Sequence, residues 1–172
     1  MPGSALGVGL VAAGAAAARM LAVDAPSAIL LIGTAGSLPG GPPVGSVIVA
    51  SEVGLGSAAK ELGLGYVPRA PAPILCHQGI VRASGLRPER VLTNLAITTD
   101  PGLAARFASA FAVEHMEAFA VAWACQEAGV PFAAILGIAN EVGPTAHAQW
   151  LRNRLAVQAA TQAAAGRLLA VV

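Results

Sequence analysis

The sequence has few charged residues, few aromatic residues and only two cysteines. Of its 172 residues, 11% are charged and 4% are aromatic, and the formal net charge is +1 with no basic cluster. Nucleic-acid binding relies on clustered Lys and Arg side chains, so this composition argues against nucleic acid as a partner. A chain that is 56% hydrophobic and carries so little charge commonly hides apolar surface in a subunit interface. We therefore expect a homodimer or a higher homo-oligomer.

The scarcity of cysteine and of long apolar runs argues against a disulfide-bonded protein and against a membrane protein. Cys76 and Cys125 lie far apart and show no CxxC or Cys/His spacing, so we expect reduced, partly buried thiols in a cytoplasmic protein. No other residue at metal-ligand spacing joins His115, so neither a metal site nor a cofactor is expected. The apolar stretch 5–18 is too short to span a bilayer and lacks the charged start of a signal peptide, so we expect no membrane association.

Apolar runs alternate with helical patterns along the whole chain. After a strand end at 7–11, strands are predicted at 28–33, 44–51, 90–98 and 130–139, and helices at 12–22, from Asp100 onward, at 113–129 and from Gln149 to the end. Residues 52–84 are rich in Gly and Pro and are predicted to pass over a site, with a short strand at 74–76. Such alternation predicts a single α/β domain over residues 1–172, a three-layer αβα sandwich with a largely parallel central sheet.

Three segments lie where ligands bind in such sheets, beyond the carboxyl ends of strands. In "IGTAGS", 32–37, the glycines around Thr34 would let the backbone approach a ligand and donate N–H groups, although Gly-Thr-Ala-Gly is more often a tight turn. In "EHMEAFAVA", Glu114 and Glu117 are predicted one turn apart on one helix, either at a site or as first-turn acids stabilised by the helix dipole. In "GIANEVGP", 137–144, Asn140 ends a strand, where turn chemistry is the alternative.

In their order and spacing, these segments resemble the nucleoside phosphorylase and nucleosidase superfamily. The resemblance covers most of residues 7–157 and rests on "GVGLVAAGAAAARML", "ILLIGTAGSLPGGPPVGSVIVASEV" and "VEHMEAFAVAWACQEAGVPF", with Ser46 where Asp is usual. It implies a mixed, largely parallel sheet. It also implies further strands and a catalytic acid before the Gly-x-Gly. Only six residues precede Gly7, so the fold is expected to lack the N-terminal strand or strands.

Within the superfamily, "NEVGP" and the later Trp150 are most similar to the futalosine hydrolase branch, with Thr145 and Ala146 where that branch often has Arg-Asp. The branch hydrolyses the inosine-like nucleoside futalosine in an alternative menaquinone pathway and releases hypoxanthine. The resemblance thus implies hydrolysis of the N-glycosidic bond of a 6-oxopurine nucleoside. The alternatives are a purine nucleoside phosphorylase, a methylthioadenosine/S-adenosylhomocysteine nucleosidase-like enzyme, and a truncated relative that binds nucleosides without catalysis.

The resemblance also implies roles for individual residues. Asn140 and Glu117 are the expected catalytic residues, because a neutral amide can donate to the acceptors of a 6-oxopurine while a carboxylate binds the ribose hydroxyls and stabilises positive charge on the sugar. Asp at the position of Asn140 is the choice of relatives that take adenine nucleosides. The other residues expected to bind substrate are Thr34, Ala35 and Gly36 beside the nucleophile, Met116 against the ribose, Ile97 against the base, and Glu114 and His115 near the site.

Overall fold

Residues 4–170 are described by a computed structural model and form six strands and six helices. The strands are β1 Ile29–Ser37, β2 Val47–Leu55, β3 Ile74–Leu75, β4 Arg87–Thr93, β5 Val113–His115 and β6 Phe132–Glu141. The helices are α1 Leu10–Asp24, α2 Ala58–Glu61, α3 Gln78–Ala83, α4 Pro101–Ala108, α5 Ala118–Ala128 and α6 Ala146–Leu169.

The strands form one mixed sheet in the order β3-β2-β4-β5-β1-β6, and β6 also pairs with β2. This last pairing closes the sheet into a barrel-like shape with helices on both sides of it. The parallel ladders β1–β6 and β2–β4 are the longest, whereas the antiparallel ladders β1–β5, β2–β3 and β2–β6 have two or three residue pairs each. The predicted α/β class and the mixed, largely parallel sheet are confirmed, while the closure of the sheet was not predicted.

The core lies along β6 and the strands beside it. Every residue from Phe132 to Asn140 is buried, as the continuous apolar run "FAAILGIA" predicts for a strand covered on both faces. Ile48, Val91 and Leu136 are among the largest fully buried side chains. Each such side chain contributes on the order of 1.5–3 kcal/mol by leaving water, so the strands around β1 form a stiff frame for the residues at their ends.

The Gly-rich segment "IGTAGS" belongs to strand β1, and its reading as a tight turn is wrong. β1 pairs with β6 in parallel from Ile29 opposite Phe132 to Ser37 opposite Glu141, with a bulge between Ala35 and Gly36. Tertiary pairing therefore overrides the local turn preference of Gly-Thr-Ala-Gly. The glycines serve close approach, since a Cβ at Gly36 would lie 2.8 Å from Nδ2 of Asn140.

The predicted helix 113–129 starts too early. Residues Val113–His115 are strand β5, and α5 begins at Ala118, so Glu114 and Glu117 do not lie one turn apart on a helix. The backbone of Glu114 pairs with Gly36 of β1 on one side and with Leu92 of β4 on the other. Because β5 pairs with these two strands, its three residues are extended although their sequence fits a helical pattern.

Other predicted boundaries shift at their ends. Strand β4 ends at Thr93 and not at residue 98, because residues 94–98 form a loop held by hydrogen bonds described below. Residues 7–11 contain no strand, since Gly7 and Gly9 have positive φ and α1 begins at Leu10. The helix predicted from Gln149 begins at Ala146. Asp100 caps α4 as predicted, accepting a hydrogen bond from Leu103 N.

The Gly- and Pro-rich stretch 52–84 is more regular than predicted. It contains the end of β2, the short helices α2 and α3, and β3, which confirms the short strand predicted at 74–76. Both cysteines are free and buried. Burial raises the pKa of the Cys76 thiol to about 12 and that of Cys125 to about 11, so both are protonated at neutral pH. Across residues 4–170 the structure has no helix with the length and apolarity needed to cross a membrane.

Candidate functional site

The three segments singled out in the sequence meet along strand β1. Gly36 lies opposite Glu114 of β5 on one side and opposite Asn140 of β6 on the other. Gly33, three residues earlier, lies against His115, whose Nε2 is 3.1 Å from where a Cβ at Gly33 would be. Glycine at both positions lets the neighbouring polar side chains approach the strand. Glu114, His115 and Asn140 therefore flank the same strand.

Glu117 lies at the junction of β5 and α5 and keeps unused hydrogen-bonding capacity. Its Oε1 accepts a hydrogen bond of 2.6 Å from Gly9 N, at the start of α1. A carboxylate has about four lone-pair sites, and among the described residues Gly9 supplies the only hydrogen bond to this one. The side chain is 16% exposed. The arrangement fixes one oxygen and leaves the other able to accept hydrogen bonds from a ligand.

His115 is buried and serves as a hydrogen-bond acceptor. Its Nδ1 accepts from Glu117 N and Ala118 N, both at 3.1 Å, which satisfies backbone N–H groups at the start of α5. The proton of the neutral ring therefore lies on Nε2, which faces Gly33. Burial lowers the pKa of His115, and Glu117, with Oε2 3.3 Å from Nδ1, opposes that shift in part. His115 thus shapes the junction that presents Glu117, and its ring is neutral.

The carboxylate of Glu114 is used by the protein itself. It is 5% exposed and accepts hydrogen bonds from Asn94 Nδ2 at 2.7 Å, from Thr98 N at 3.0 Å and from the Thr98 hydroxyl. The salt bridges formed within residues 4–170 do not include Glu114. A buried carboxylate without a cation needs such donors. Its contacts make Glu114 the anchor of the loop 94–98, and direct substrate binding by Glu114 stays a prediction.

Asn140 ends β6 beside Gly36 and is 8% exposed. Its Nδ2 donates to the carbonyl of Glu141 at 3.0 Å, so one N–H of the amide is engaged. The second N–H and the carbonyl oxygen of the amide have no partner among the described residues. The side chain therefore keeps both a donor and an acceptor for a ligand.

The hydroxyl of Thr34 is contacted by helix α6. Trp150 Nε1 donates to Thr34 Oγ1 at 3.0 Å across 116 residues of sequence. The indole ring itself is flanked on α6, with the guanidinium of Arg154 5.1 Å from its centroid and the His147 ring stacked at 5.9 Å. The first turns of α6 are thus tied to the end of β1.

The remaining predicted site residues differ in accessibility. Ile97 is 45% exposed and belongs to the loop anchored by Glu114. Met116 is half-buried between β5 and α5, whereas the Ala35 side chain is 5% exposed and packs in the core. Ala35 can therefore contact a ligand only through its backbone.

Cavities beside the described residues include the following two. One, of about 440 Å³, lies directly beyond Gly36 and Asn140 and is lined by residues 37–44 with Glu141 and Val142. The other, of about 700 Å³, is an apolar groove between α1 and α5 that includes Trp123 and Leu55. Neither cavity is lined by Glu117 and Asn140 together. Within residues 4–170, no three His, Cys, Asp or Glu side chains are grouped as a metal site would require.

Sequence reasoning missed several residues that organise this region. Asn94 and Thr98 were included in a strand, but they are the donors that satisfy Glu114. Two polar residues four apart, just after an apolar run, were the available signal for a loop. The contact of Gly9 with Glu117 had no sequence signal, because 108 residues separate the two.

Known proteins share sequence with this chain over most of its length. The family model described as Phosphorylase superfamily matches residues 2–172. The chain is 33% identical to the futalosine hydrolase of Thermus thermophilus over 181 aligned positions, which cover 95% of this chain and 79% of that protein. It is also 33% identical to the futalosine hydrolase of Streptomyces coelicolor over 123 positions, covering 63% of this chain and about half, 51%, of the relative.

Solved structures share the fold. The native futalosine hydrolase of Helicobacter pylori superposes with a TM-score of 0.86 at 16% identity, covering 97% of this chain and 78% of the other. A 5′-methylthioadenosine/S-adenosylhomocysteine nucleosidase from Colwellia psychrerythraea, in complex with adenine, gives a TM-score of 0.85 at 22% identity, covering 96% and 75%. At these identities the likeness extends to the fold alone.

Proposed function

The chain belongs to the Phosphorylase superfamily, and on that premise we propose that it hydrolyses the N-glycosidic bond of a 6-oxopurine nucleoside. The observation that carries the proposal is a pair of polar side chains near β1 whose hydrogen-bonding capacity is not fully satisfied within the described residues. Glu117 has one carboxylate oxygen that can accept hydrogen bonds from a ligand, and the Asn140 amide has one N–H and its carbonyl oxygen available. The two curated relatives above are futalosine hydrolases, which makes futalosine, with release of hypoxanthine in menaquinone synthesis, the first substrate to test.

Glu117 is proposed to act on the sugar. Breaking the N-glycosidic bond builds positive charge on the ribose ring, and a nearby carboxylate stabilises that charge more in the transition state than in the ground state. Gly9 fixes Oε1 by its 2.6 Å hydrogen bond, so the carboxylate is oriented before substrate binds. Met116, the residue before it, is proposed to pack against the ribose.

Asn140 is proposed to act on the leaving base. A 6-oxopurine presents acceptors at N7 and O6, to which an amide can donate without carrying charge. A carboxylate in the same place would face O6 with like polarity unless it were protonated. A mismatched polar group in such a site costs on the order of 1–3 kcal/mol, which corresponds to a base preference of roughly tenfold to a hundredfold. Ile97 is proposed to form an apolar wall for the base.

The end of β1 is proposed to hold the nucleophile. The Thr34 hydroxyl and the backbone of Ala35 and Gly36 lie between the elements that carry Glu117 and Asn140. Backbone N–H groups at such a strand end can orient a water molecule in a nucleosidase or a phosphate ion in a phosphorylase. The same segment therefore suits either nucleophile, and the assay must separate them.

The test is release of free base from futalosine, inosine and methylthioadenosine, each with and without phosphate. Hypoxanthine released equally well without phosphate supports a nucleosidase, and dependence on phosphate identifies a phosphorylase. Adenine as the preferred product would reject the role of Asn140. Base release from none of the three, by a chain that still binds nucleoside, would identify a non-catalytic binding protein.

The Asn140→Asp variant tests the base preference directly. We expect the ratio of kcat/KM for inosine-type over adenosine-type nucleosides to fall by roughly tenfold to a hundredfold, because the amide donor is lost. Gln126→Glu adds the same single negative charge at an exposed position of α5 and serves as the matched control. An unchanged ratio in Asn140→Asp would show that this side chain does not contact the base.

We further propose that the chain forms a homodimer. Large apolar side chains are exposed near the α1–α5 groove, among them Val11 at 78%, Leu55 at 41% and Trp123 at 42%. The groove lining contains one charged residue, Glu127, so a second copy of this weakly charged chain is the partner that suits it. Sedimentation equilibrium should give twice the chain mass, and Trp123→Glu should shift it toward the monomer. A monomer at all concentrations would reject the proposal.

A further inference from the structure

We propose that Trp150 is a positioning residue that makes the Thr34 hydroxyl a hydrogen-bond donor toward the site; this rests on the proposed nucleosidase function. The observation is the 3.0 Å hydrogen bond from Trp150 Nε1 to Thr34 Oγ1. Thr34 lies on β1 between the elements that carry Glu117 and Asn140, whereas Trp150 lies on α6 and has no place in the chemistry described above.

The polarity follows from the donor and acceptor inventory. Indole has one N–H and no acceptor, so the bond can run only from Trp150 to Thr34. A hydroxyl has one proton and two lone pairs, and the indole occupies one lone pair. The proton of Thr34 must then point away from the indole. It is free to donate to a water molecule or to an oxygen of the substrate bound beside β1.

The indole is held in place on α6. Arg154 lies 5.1 Å from its ring centroid and His147 stacks at 5.9 Å, which restricts rotation of the ring. On the same helix, Gln149 Oε1 accepts from Glu141 N at 2.9 Å and Asn153 Nδ2 donates to the Ala139 carbonyl at 2.9 Å. These two bonds fix the residues on either side of Asn140. One face of α6 therefore sets the positions of both Thr34 and Asn140.

The hydrogen bond is tested by the indole N–H resonances of the full chain. The protein has two tryptophans and so gives two indole cross-peaks in a ¹H–¹⁵N spectrum, which Trp123→Phe assigns. We expect Thr34→Val to shift the Trp150 peak and leave the Trp123 peak in place, because valine removes the acceptor. Thr34→Ser keeps the acceptor and should restore the position of the peak. If the Trp150 peak does not move in Thr34→Val, the hydrogen bond does not exist.

The positioning role is tested by turnover of the nucleoside found to be a substrate. Trp150→Phe keeps the aromatic ring and removes the N–H, and should lower kcat about tenfold while KM changes less than about twofold, as for the loss of one hydrogen bond that orients a reacting group. Thr34→Val should cost a similar factor. The double variant should be no slower than the slower single variant, because both changes break one interaction.

Ser109→Ala is the control, since it removes a 2.7 Å side-chain hydrogen bond to the Arg106 carbonyl at the exposed end of α4, outside the site, and it should leave kcat and KM unchanged. The positioning role would be overturned if the loss of kcat in the double variant equalled the product of the two single losses. An effect of Trp150→Phe on KM alone would also overturn it. If no nucleoside releases base, the proposed function fails and the catalytic role of Trp150 fails with it. The hydrogen bond is judged separately by the indole spectra.

Discussion

Replacing Glu114 by Gln distinguishes a loop anchor from a substrate ligand. The carboxylate accepts three hydrogen bonds, from Asn94 Nδ2 and from the backbone N–H and hydroxyl of Thr98. Gln keeps the shape but offers one acceptor oxygen in place of two. Its amide nitrogen would then face a donor, such as the Thr98 N–H that now contacts Oε2 at 3.0 Å.

The size of the effect follows from two opposing terms. Losing one hydrogen bond to a charged acceptor costs about 1.5–3 kcal/mol, and a donor facing a donor adds to it. The neutral amide is easier to bury than a carboxylate that lacks a cation, which offsets part of that loss. We expect Glu114→Gln to lower the free energy of unfolding by about 2 kcal/mol and Tm by about 4–8 °C for a domain of this size.

Urea unfolding and thermal melts measure this effect alongside kcat. Glu127→Gln, the same change at an exposed glutamate, should lie within about 0.5 kcal/mol of the parent. Thr98→Val should cost about 1 kcal/mol and should be non-additive with Glu114→Gln, because the two side chains share a bond. If Glu114→Gln has the same Tm as the parent but a lower kcat, Glu114 binds substrate and its role as the loop anchor is wrong.

Three further outcomes are expected from single features of the structure. Burial holds the pKa of His115 below its ordinary value of 6.5, so on acidification the unfolded chain takes up a proton before the folded chain does, and the free energy of unfolding should fall as pH drops below 6.5. His115→Asn should remove this contribution, which urea unfolding at pH 7.5 and 5.5 measures. An equal loss of free energy between the two pH values in the parent and the variant would contradict the prediction. Gly166→Ala, in α6 with open space around its Cβ position, should raise the free energy of unfolding by about 0.5–1 kcal/mol in urea unfolding. A lower free energy of unfolding would show that the added methyl group meets a neighbouring atom. With thiol pKa values of about 12 and 11, Cys76 and Cys125 should react with a disulfide reagent at pH 8 only after denaturation, so rapid labelling of the folded chain would disprove their burial.

Much of the fold could be predicted from the sequence where local pattern and tertiary position agree. The run 130–139 is apolar enough to fix a strand buried on both faces, and the Asp100–Pro101 pair marks a helix start that the structure confirms through Leu103 N. Composition and hydrophobic runs act at these places without long-range help. The α/β class followed from such elements alone.

The errors lie where distant strands decide the local structure. Val113–His115 carry a helical pattern, but pairing with β1 and β4 makes them a strand. "IGTAGS" has turn residues, but pairing with six residues of β6 holds it extended. The same limit applies to the site: which residues flank Gly36 depends on register, and the bond from Trp150 to Thr34 spans 116 residues.

The long ladder between β1 and β6 has a consequence for synthesis on the ribosome. Ile29 pairs with Phe132 and Ser37 with Glu141, so β1 is synthesised about 100 residues before its parallel partner. Contacts so distant in sequence form slowly, and an unpaired apolar strand is exposed while it waits. The nascent chain therefore carries an unpaired apolar strand until β6 has been synthesised, and chaperones that shield such strands would have the most effect during that interval.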